Sequence, residues 1–460
     1  MSDDDLGIRL VGDDALAPCL DGIDRRYLSL DAAASTAAMP SVAARVAEVL
    51  PRYSSVHRGA GWKSQLSTMA YEEARAAAEA FAGRRDRDDV AIICRNTTEA
   101  INHLAYRLGL ERDDVVVTTV VEHHANLLPW TRLARCRYVD CSADGTFDAA
   151  DVVAALDASP PPRLLAITGA SNVTGWLPPL DEIIAAAHDR GVRVLIDAAQ
   201  LATHRPLPPE AEFLAWSGHK MYAPFGAGVL LGPRDAFTHG DPFLAGGGAV
   251  DLVDLDEVVW TDPPEREEAG SPNVLGAVAL HAAIDELTGI GWPAIRAHDD
   301  AMSKRLRDGL RGLEGVRVLG PPGSDGLPVA PFVVDGVPHA LVAARLSVEH
   351  AIGVRHGCFC AHPYLMRLLG LSPAQVDEYR DAVRRGDKRS IPGAVRASTG
   401  ISTTAGDVDR FLAAVAAVGN GDPPPVPYDQ DLHTGDFWPR GADTPWADAA
   451  RRLGASCARG

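Results

Sequence analysis

The stretch Val192-Arg193-Val194-Leu195-Ile196-Asp197-Ala198-Ala199-Gln200 decides the fold reading, because a short apolar run rich in β-branched residues ends abruptly in a carboxylate. A run of this length, apolar on both faces, is the pattern of a strand buried inside a parallel sheet. Four similar runs surround it: Val90-Ala91-Ile92-Ile93-Cys94, Val115-Val116-Val117-Thr118, Leu164-Leu165-Ala166-Ile167-Thr168 and Phe213-Leu214-Ala215-Trp216. Between them, Ala-rich stretches such as 181–189 carry apolar positions at helical spacing. The alternation predicts an α/β fold with an open, mostly parallel sheet.

In such sheets ligands gather beyond the carboxyl ends of the strands. Each of the five runs is followed by polar residues: 96–99, then His123 and His124, then Ser171 and Asn172, then Asp197 and Gln200, and finally Ser217-Gly218-His219-Lys220. Lys220 stands out because the chain has only Lys63, Lys220, Lys304 and Lys388 among its 44 lysines and arginines. An amine that can lose its proton is something arginine cannot replace. Lys304 and Lys388 sit in charge-rich segments and read as solvated surface charges.

An amine able to condense with an aldehyde, together with a carboxylate placed to hold a protonated ring nitrogen, is the pair that pyridoxal 5'-phosphate requires. Lys220 and Asp197 supply it, and burial favours the neutral amine that imine chemistry needs. Asn96-Thr97-Thr98-Glu99 has the pattern of a capping box, whose free amides can also hold a phosphate. In Glu122-His123-His124, adjacent histidines in extended backbone point to opposite faces and do not converge on one metal ion. An imidazole stacking on a flat cofactor is the alternative.

Composition limits the rest. The 460 residues are 46% hydrophobic, enough for two or three units with large cores. A net charge of -18 argues against nucleic acid as a partner. The acidic start Met1-Ser2-Asp3-Asp4-Asp5 has the wrong sign for a secretory leader, and no apolar stretch is long enough to span a bilayer, so a soluble cytoplasmic protein is expected. Seven scattered cysteines, with Cys358 and Cys360 the one close pair, read as thiols rather than disulfides, and no structural metal site is expected.

From about residue 291 the texture changes. An amphipathic helix over 295–313, strands over 316–319 and 330–334, and a helix over 341–349 suggest a smaller α+β domain. The expected division is an N-terminal segment 1–38 joining the small domain, a large cofactor-binding domain 39–285, the small domain 286–420, and an extension 421–460 with a Pro423-Pro424-Pro425 run.

These residues carry a family resemblance from about 27 to 412. It rests on 27–36, Val56-His57-Arg58-Gly59, 97–102, Glu122-His123-His124-Ala125-Asn126 through Trp130, Ser171-Asn172-Val173, Asp197 with Gln200, Ser217-Gly218-His219-Lys220 and Ala269-Gly270-Ser271-Pro272-Asn273. The chain resembles the class V aminotransferase group of fold-type I pyridoxal-phosphate enzymes, most closely the cysteine desulfurase and selenocysteine lyase branch. The resemblance implies that Lys220 binds the cofactor covalently, that Asp197 partners the ring nitrogen and that His123 stacks on the ring. Asn172 and Gln200 would contact the ring hydroxyl, and Thr97, Thr98, Ser217 and His219 would hold the phosphate. Ser271 would reach the phosphate of a neighbouring subunit, which implies a homodimer. Arg396 would take the substrate carboxylate as a bidentate pair, with His57 and Arg355 also at the substrate.

The segment Val354-Arg355-His356-Gly357-Cys358-Phe359-Cys360-Ala361-His362-Pro363 resembles the desulfurase loop in which Cys360 would accept sulfur as a thiolate. The implied reaction removes sulfur from L-cysteine and leaves alanine, with a sulfur-acceptor protein as a further partner. The alternative is transamination, epimerisation or lyase chemistry on another amino acid. Four features depart from the desulfurase pattern: Cys358 and Phe359 stand where that branch has paired histidines, the stretch 364–393 is longer, the linker from Gln200 to Ser217 is a little short, and the tail from 421 has no counterpart.

Overall fold

The computed structural model describes residues 6–57, 59–323 and 325–441. Seven strands form the central sheet: β1 (Asp89–Cys94), β2 (Val115–Thr119), β3 (Arg135–Val139), β4 (Leu164–Thr168), β5 (Arg193–Asp197), β6 (Phe213–Ser217) and β7 (Gly228–Pro233). Their spatial order is β1-β7-β6-β5-β4-β2-β3. All neighbouring pairs from β6 to β3 are parallel. Strand β7 runs antiparallel to both β1 and β6. Strands β2, β4 and β6 are buried at every position, which is why they read as unbroken apolar runs.

Two strands escape the sequence pattern. The edge strand β3 is mostly exposed or half-buried and carries Arg135 and Arg137, so no apolar run marks it. Strand β7 is apolar, but its reversed direction depends on partners far away in sequence. Its first residue, Gly228, marks a close approach: a Cβ there would lie 2.7 Å from the Asn96 Cα, at the start of helix α1 (Thr97–Arg107). The strand therefore seats the helix N-terminus against the sheet.

Helices Val274–Ile290 and Trp292–Arg311 lead out of this sheet, and the chain turns between them at Gly291, where φ is 83°. The break expected after residue 285 lies inside the first of these helices. Pro293 sets the start of the second, a turn earlier than the periodicity suggests. A second sheet follows, made of β8 (Val316–Val318), β9 (Val329–Val334), β10 (Arg355–Gly357) and β11 (Ala394–Ser398) in the order β8-β9-β11-β10, all antiparallel. Helix α2 (His339–His350) covers it. Its core includes Leu306, Phe332, Leu346 and Phe411 together with Leu28 and Leu30 from the N-terminal segment. Leu28 and Ser29 pair in parallel with Ile352 and Gly353, which ties that segment to the small sheet.

The longer stretch after residue 363 contains helix α3 (Pro373–Arg384), started by a Ser372/Gln375 capping box. The described part of the tail forms a hairpin, β12 (Tyr428–Gln430) and β13 (Phe437–Pro439). Among the described residues no single helix is long and apolar enough to cross a membrane.

Candidate active site

A cavity of about 590 Å³ opens where the carboxyl ends of the parallel strands meet the small sheet. Asn96, Thr97, Thr98, His123, Asn172, Asp197, Gln200, Ser217, His219 and Lys220 line it, so all five strand ends singled out in the sequence converge there. Arg355, Cys358, Cys360 and Arg396 line it as well.

One end is built for an anion. The Asn96 side chain accepts from the Glu99 backbone N–H at 3.0 Å, and the Glu99 carboxylate accepts from the Arg95 N–H. The predicted capping box is thus half realised, with its return bond shifted by one residue. Thr97 is fixed by Ser217, whose Oγ lies 2.8 Å from the Thr97 N and 2.7 Å from its Oγ1. His219 Nδ1 lies 3.3 Å from Ser35 Oγ. Hydroxyls, an imidazole and the positive end of helix α1 together suit a phosphate group.

The middle of the cavity carries the titratable groups. Lys220 has its pKa pushed down to about 8, chiefly by burial, with Asp197 opposing the shift and Arg396 adding to it. Burial raises Asp197 above the usual carboxylate range, against the Ala199 N–H bond at 3.0 Å and the attraction of Lys220. His123 is pushed down to about 3 by burial, with Lys220, His124 and Arg396 adding repulsion. Its Nδ1 accepts from the Ala125 N–H at 3.0 Å, so the neutral ring carries its proton on Nε2. Behind it, buried Glu122 is raised to about 8 by desolvation although Thr119, Asn126 and the Thr168 N–H all donate to it.

The third part is the loop between β10 and Pro363. Phe359 and Cys360 both have φ of 55°, a left-handed pair that only a well-anchored loop sustains. The anchors come from the large domain: Asn172 Nδ2 donates to Phe359 O at 2.7 Å, and His124 N donates to Cys360 O at 2.7 Å. The His124 ring stacks on His362 at 5.1 Å between centroids. Cys360 is exposed and Cys358 half-buried, both as free thiols. Arg396 is buried, donates to Asn172 O at 2.8 Å and lies 5.1 Å over the Phe359 ring.

Several residues differ from expectation. The amides of Asn172 and Gln200 donate to main-chain carbonyls, the latter to Ala33 O at 2.7 Å. His57 does not line the cavity. His57 Nε2 instead lies 2.8 Å from Glu72. His57, Glu72 and Glu265 approach one another, but Arg75 Nη1 at 2.9 and 3.2 Å from the two carboxylates already supplies their cation. Sequence reasoning overlooked Asp31, which bonds Arg396, and Gln430 and Thr434 of the tail, which line the cavity. Lys388, read as a surface charge, also lines it. Asp31 follows a strand-like segment and precedes small residues, which was a usable signal; nothing local marks the tail.

Residues 28–411 match the family model for class V aminotransferases. The chain belongs to this family. Among its relatives in the class V aminotransferase family, the probable cysteine desulfurase of Halobacterium salinarum is 35% identical over 401 residues, covering 84% of this chain and 90% of the relative. The cysteine desulfurase of Dickeya dadantii is 34% identical, with 84% and 90% covered. The apo structure of a cysteine desulfurase from Thermococcus onnurineus NA1 superposes with a TM-score of 0.77 at 32% identity, covering 86% of this chain and 95% of that one. A cysteine desulfurase structure from Escherichia coli gives 0.71 at 30% identity, with 85% and 94% covered.

Proposed function

We propose that this class V aminotransferase family member is a pyridoxal-phosphate enzyme that removes sulfur from L-cysteine. The observation that carries this reading is the placement of Lys220, Asp197, Arg396 and Cys360 around one cavity. The donor set fits the cofactor: helix α1 with Thr97, Thr98, Ser217 and His219 for the phosphate, His123 for the ring face, Asp197 for the ring nitrogen and Lys220 for the aldehyde. When bound, the cofactor supplies an electron sink that stabilises negative charge at the substrate Cα.

The chain's residues do the rest. Arg396, fixed by Asn172 and Asp31, takes the substrate carboxylate, and Arg355 adds positive charge beside it. Lys220 Nζ, neutral above its lowered pKa, accepts the α-proton and returns it. The Cys360 thiolate attacks the substrate sulfur; the Cβ–S bond breaks, a persulfide forms on Cys360, and Cβ gains a proton to give alanine. A sulfur-acceptor protein would then collect sulfur at the exposed Cys360.

Two further parts of the reading concern the assembly. We place a second subunit against the apolar hairpin 250–260, whose Leu252, Val253, Leu255, Val258 and Val259 are all exposed. Gly270 N bonds Gly247 O at 2.7 Å beside it, so Ser271 shares that surface and would enter the partner's phosphate site. Six free cysteines among the described residues suit the reducing cytoplasm.

Cys358 and Phe359, at the positions of the desulfurase histidine pair, favour a second reading in which Cys360 is idle and the enzyme transaminates, epimerises or cleaves another amino acid. Incubating the protein with L-cysteine and an excess of a dithiol reductant, which releases the persulfide sulfur as sulfide, and measuring alanine and sulfide separates the two. Equal amounts of both products, abolished in Cys360→Ala, support desulfuration; full alanine production by Cys360→Ala overturns the persulfide role.

A further inference from the structure

The described tail lies beyond the segment that matches the family, which ends at residue 411, yet it reaches the active site. Gln430, Thr434 and Gly435 line the same cavity as Lys220, and so do Lys388, Arg389 and Ile391 from the stretch after helix α3. One backbone and one side-chain hydrogen bond join these two segments. Lys388 N donates to Leu432 O at 2.9 Å, and Gln430 Nε2 donates to Arg389 O at 2.8 Å and to Gly435 O at 3.0 Å.

The joint is a close one. Gly435 has φ of 80°, and a Cβ there would lie 2.6 Å from Lys388 O, so no side chain fits without parting the two segments. The hairpin is also fastened to the body of the small domain. Asp436 Oδ1 lies 3.3 Å from His356 Nε2, on strand β10 next to Arg355, and Tyr428 Oη donates to Glu349 at 2.8 Å on helix α2. The tail therefore meets the strand that leads into the Cys358–Cys360 loop.

We propose that hairpin residues 428–439, docked on residues 388–391, form the outer wall of the substrate pocket and restrict it to amino acids with a compact side chain. This rests on the substrate site assigned above, with its carboxylate end at Arg396 and its side-chain end at Cys360. A rigid wall discriminates by refusing bulk, and removing it changes the ranking of ligands rather than the chemistry at Lys220. The wall sits at the side-chain end because Asp436 fastens the hairpin to His356, on the strand that leads into the Cys358–Cys360 loop, and Lys388, Gln430 and Thr434 line the cavity together with Cys360.

The test compares two full-length variants, Gly435→Val and Asp436→Ala, with the wild type, all loaded with cofactor. Titrations with L-alanine and S-benzyl-L-cysteine, followed through the cofactor's visible spectrum, give two dissociation constants for each protein. The wall predicts that the ratio of the bulky to the small ligand falls at least about fivefold in both variants, and that hydrogen exchange quickens at 428–439. An unchanged ratio, with exchange quickened, overturns the proposal. Gly435→Val tests the joint by steric force and Asp436→Ala by loss of one contact, so a folding defect in one leaves the other to decide. Neither ligand is desulfurated in this measurement, so it is independent of whether L-cysteine yields alanine and sulfide.

Discussion

Asp31 holds Arg396 and Arg355 on its two oxygens, Oδ1 at 3.0 Å from Arg396 Nη2 and Oδ2 at 3.1 Å from Arg355 Nε. One carboxylate from the N-terminal segment thus spaces two cations that line the cavity. Among the described residues it is the one acid paired with Arg396, which is 3% exposed.

That arrangement makes Asp31 a positioning residue. Charged hydrogen bonds contribute about 1.5–3 kcal/mol, so Arg396→Gln should raise KM for the amino acid by roughly ten- to a hundredfold with the cofactor spectrum unchanged. Asp31→Ala should raise KM by less and leave kcat largely intact, while Asp31→Asn recovers most of the loss. Steady-state kinetics on the three variants check this.

Lys220 sets a pH dependence. Its value of about 8 lies below its ordinary 10.5, so the folded protein favours the neutral amine and the unfolded chain binds the extra proton between those values. The apoenzyme should therefore gain stability from this group as pH rises from about 8 towards 10.5 and lose that gain as pH falls back through 8. The neutral fraction grows about tenfold between pH 7 and 9, and the rate of aldehyde capture by the apoenzyme should follow it and then level off. Lys220→Ala should abolish capture and turnover at every pH.

The two thiols separate by role. Cys360→Ala should remove sulfide release with the cofactor spectrum preserved, whereas Cys358→Ala should retain most of it. Sulfide assays on both variants distinguish a sulfur carrier from a neighbouring thiol.

The exposed hairpin predicts assembly. Leu255→Asp places a charge on an apolar surface and should shift the protein towards monomer, read by analytical ultracentrifugation. Because Ser271 would complete the partner's phosphate site, the monomer should hold its cofactor less tightly.

How much of this was legible in the sequence follows from where each residue sits. Asp197 and Lys220 were readable because fully buried strands leave unbroken apolar runs, and each run ends at the site. The helix start at Asn96 was readable as a cap, although its return bond comes from Arg95 instead. Asp31 was marked only by its place after a strand-like segment and the tail not at all, because their roles arise from contacts more than 40 residues apart in the chain, such as Asp31 with Arg396 and Gln430 with Arg389. Lys388 looked like a surface charge for the same reason: it is exposed, yet it lines the cavity.

In the proposed reaction Cys360 takes sulfur directly from the substrate. A single turnover with one equivalent of L-cysteine, quenched with an alkylating agent and followed by peptide mass spectrometry, tests it. The peptide carrying Cys360 should gain one sulfur atom as one equivalent of alanine appears. Alanine formed without added sulfur on Cys360, or no alanine at all while other amino acids are turned over, would contradict it.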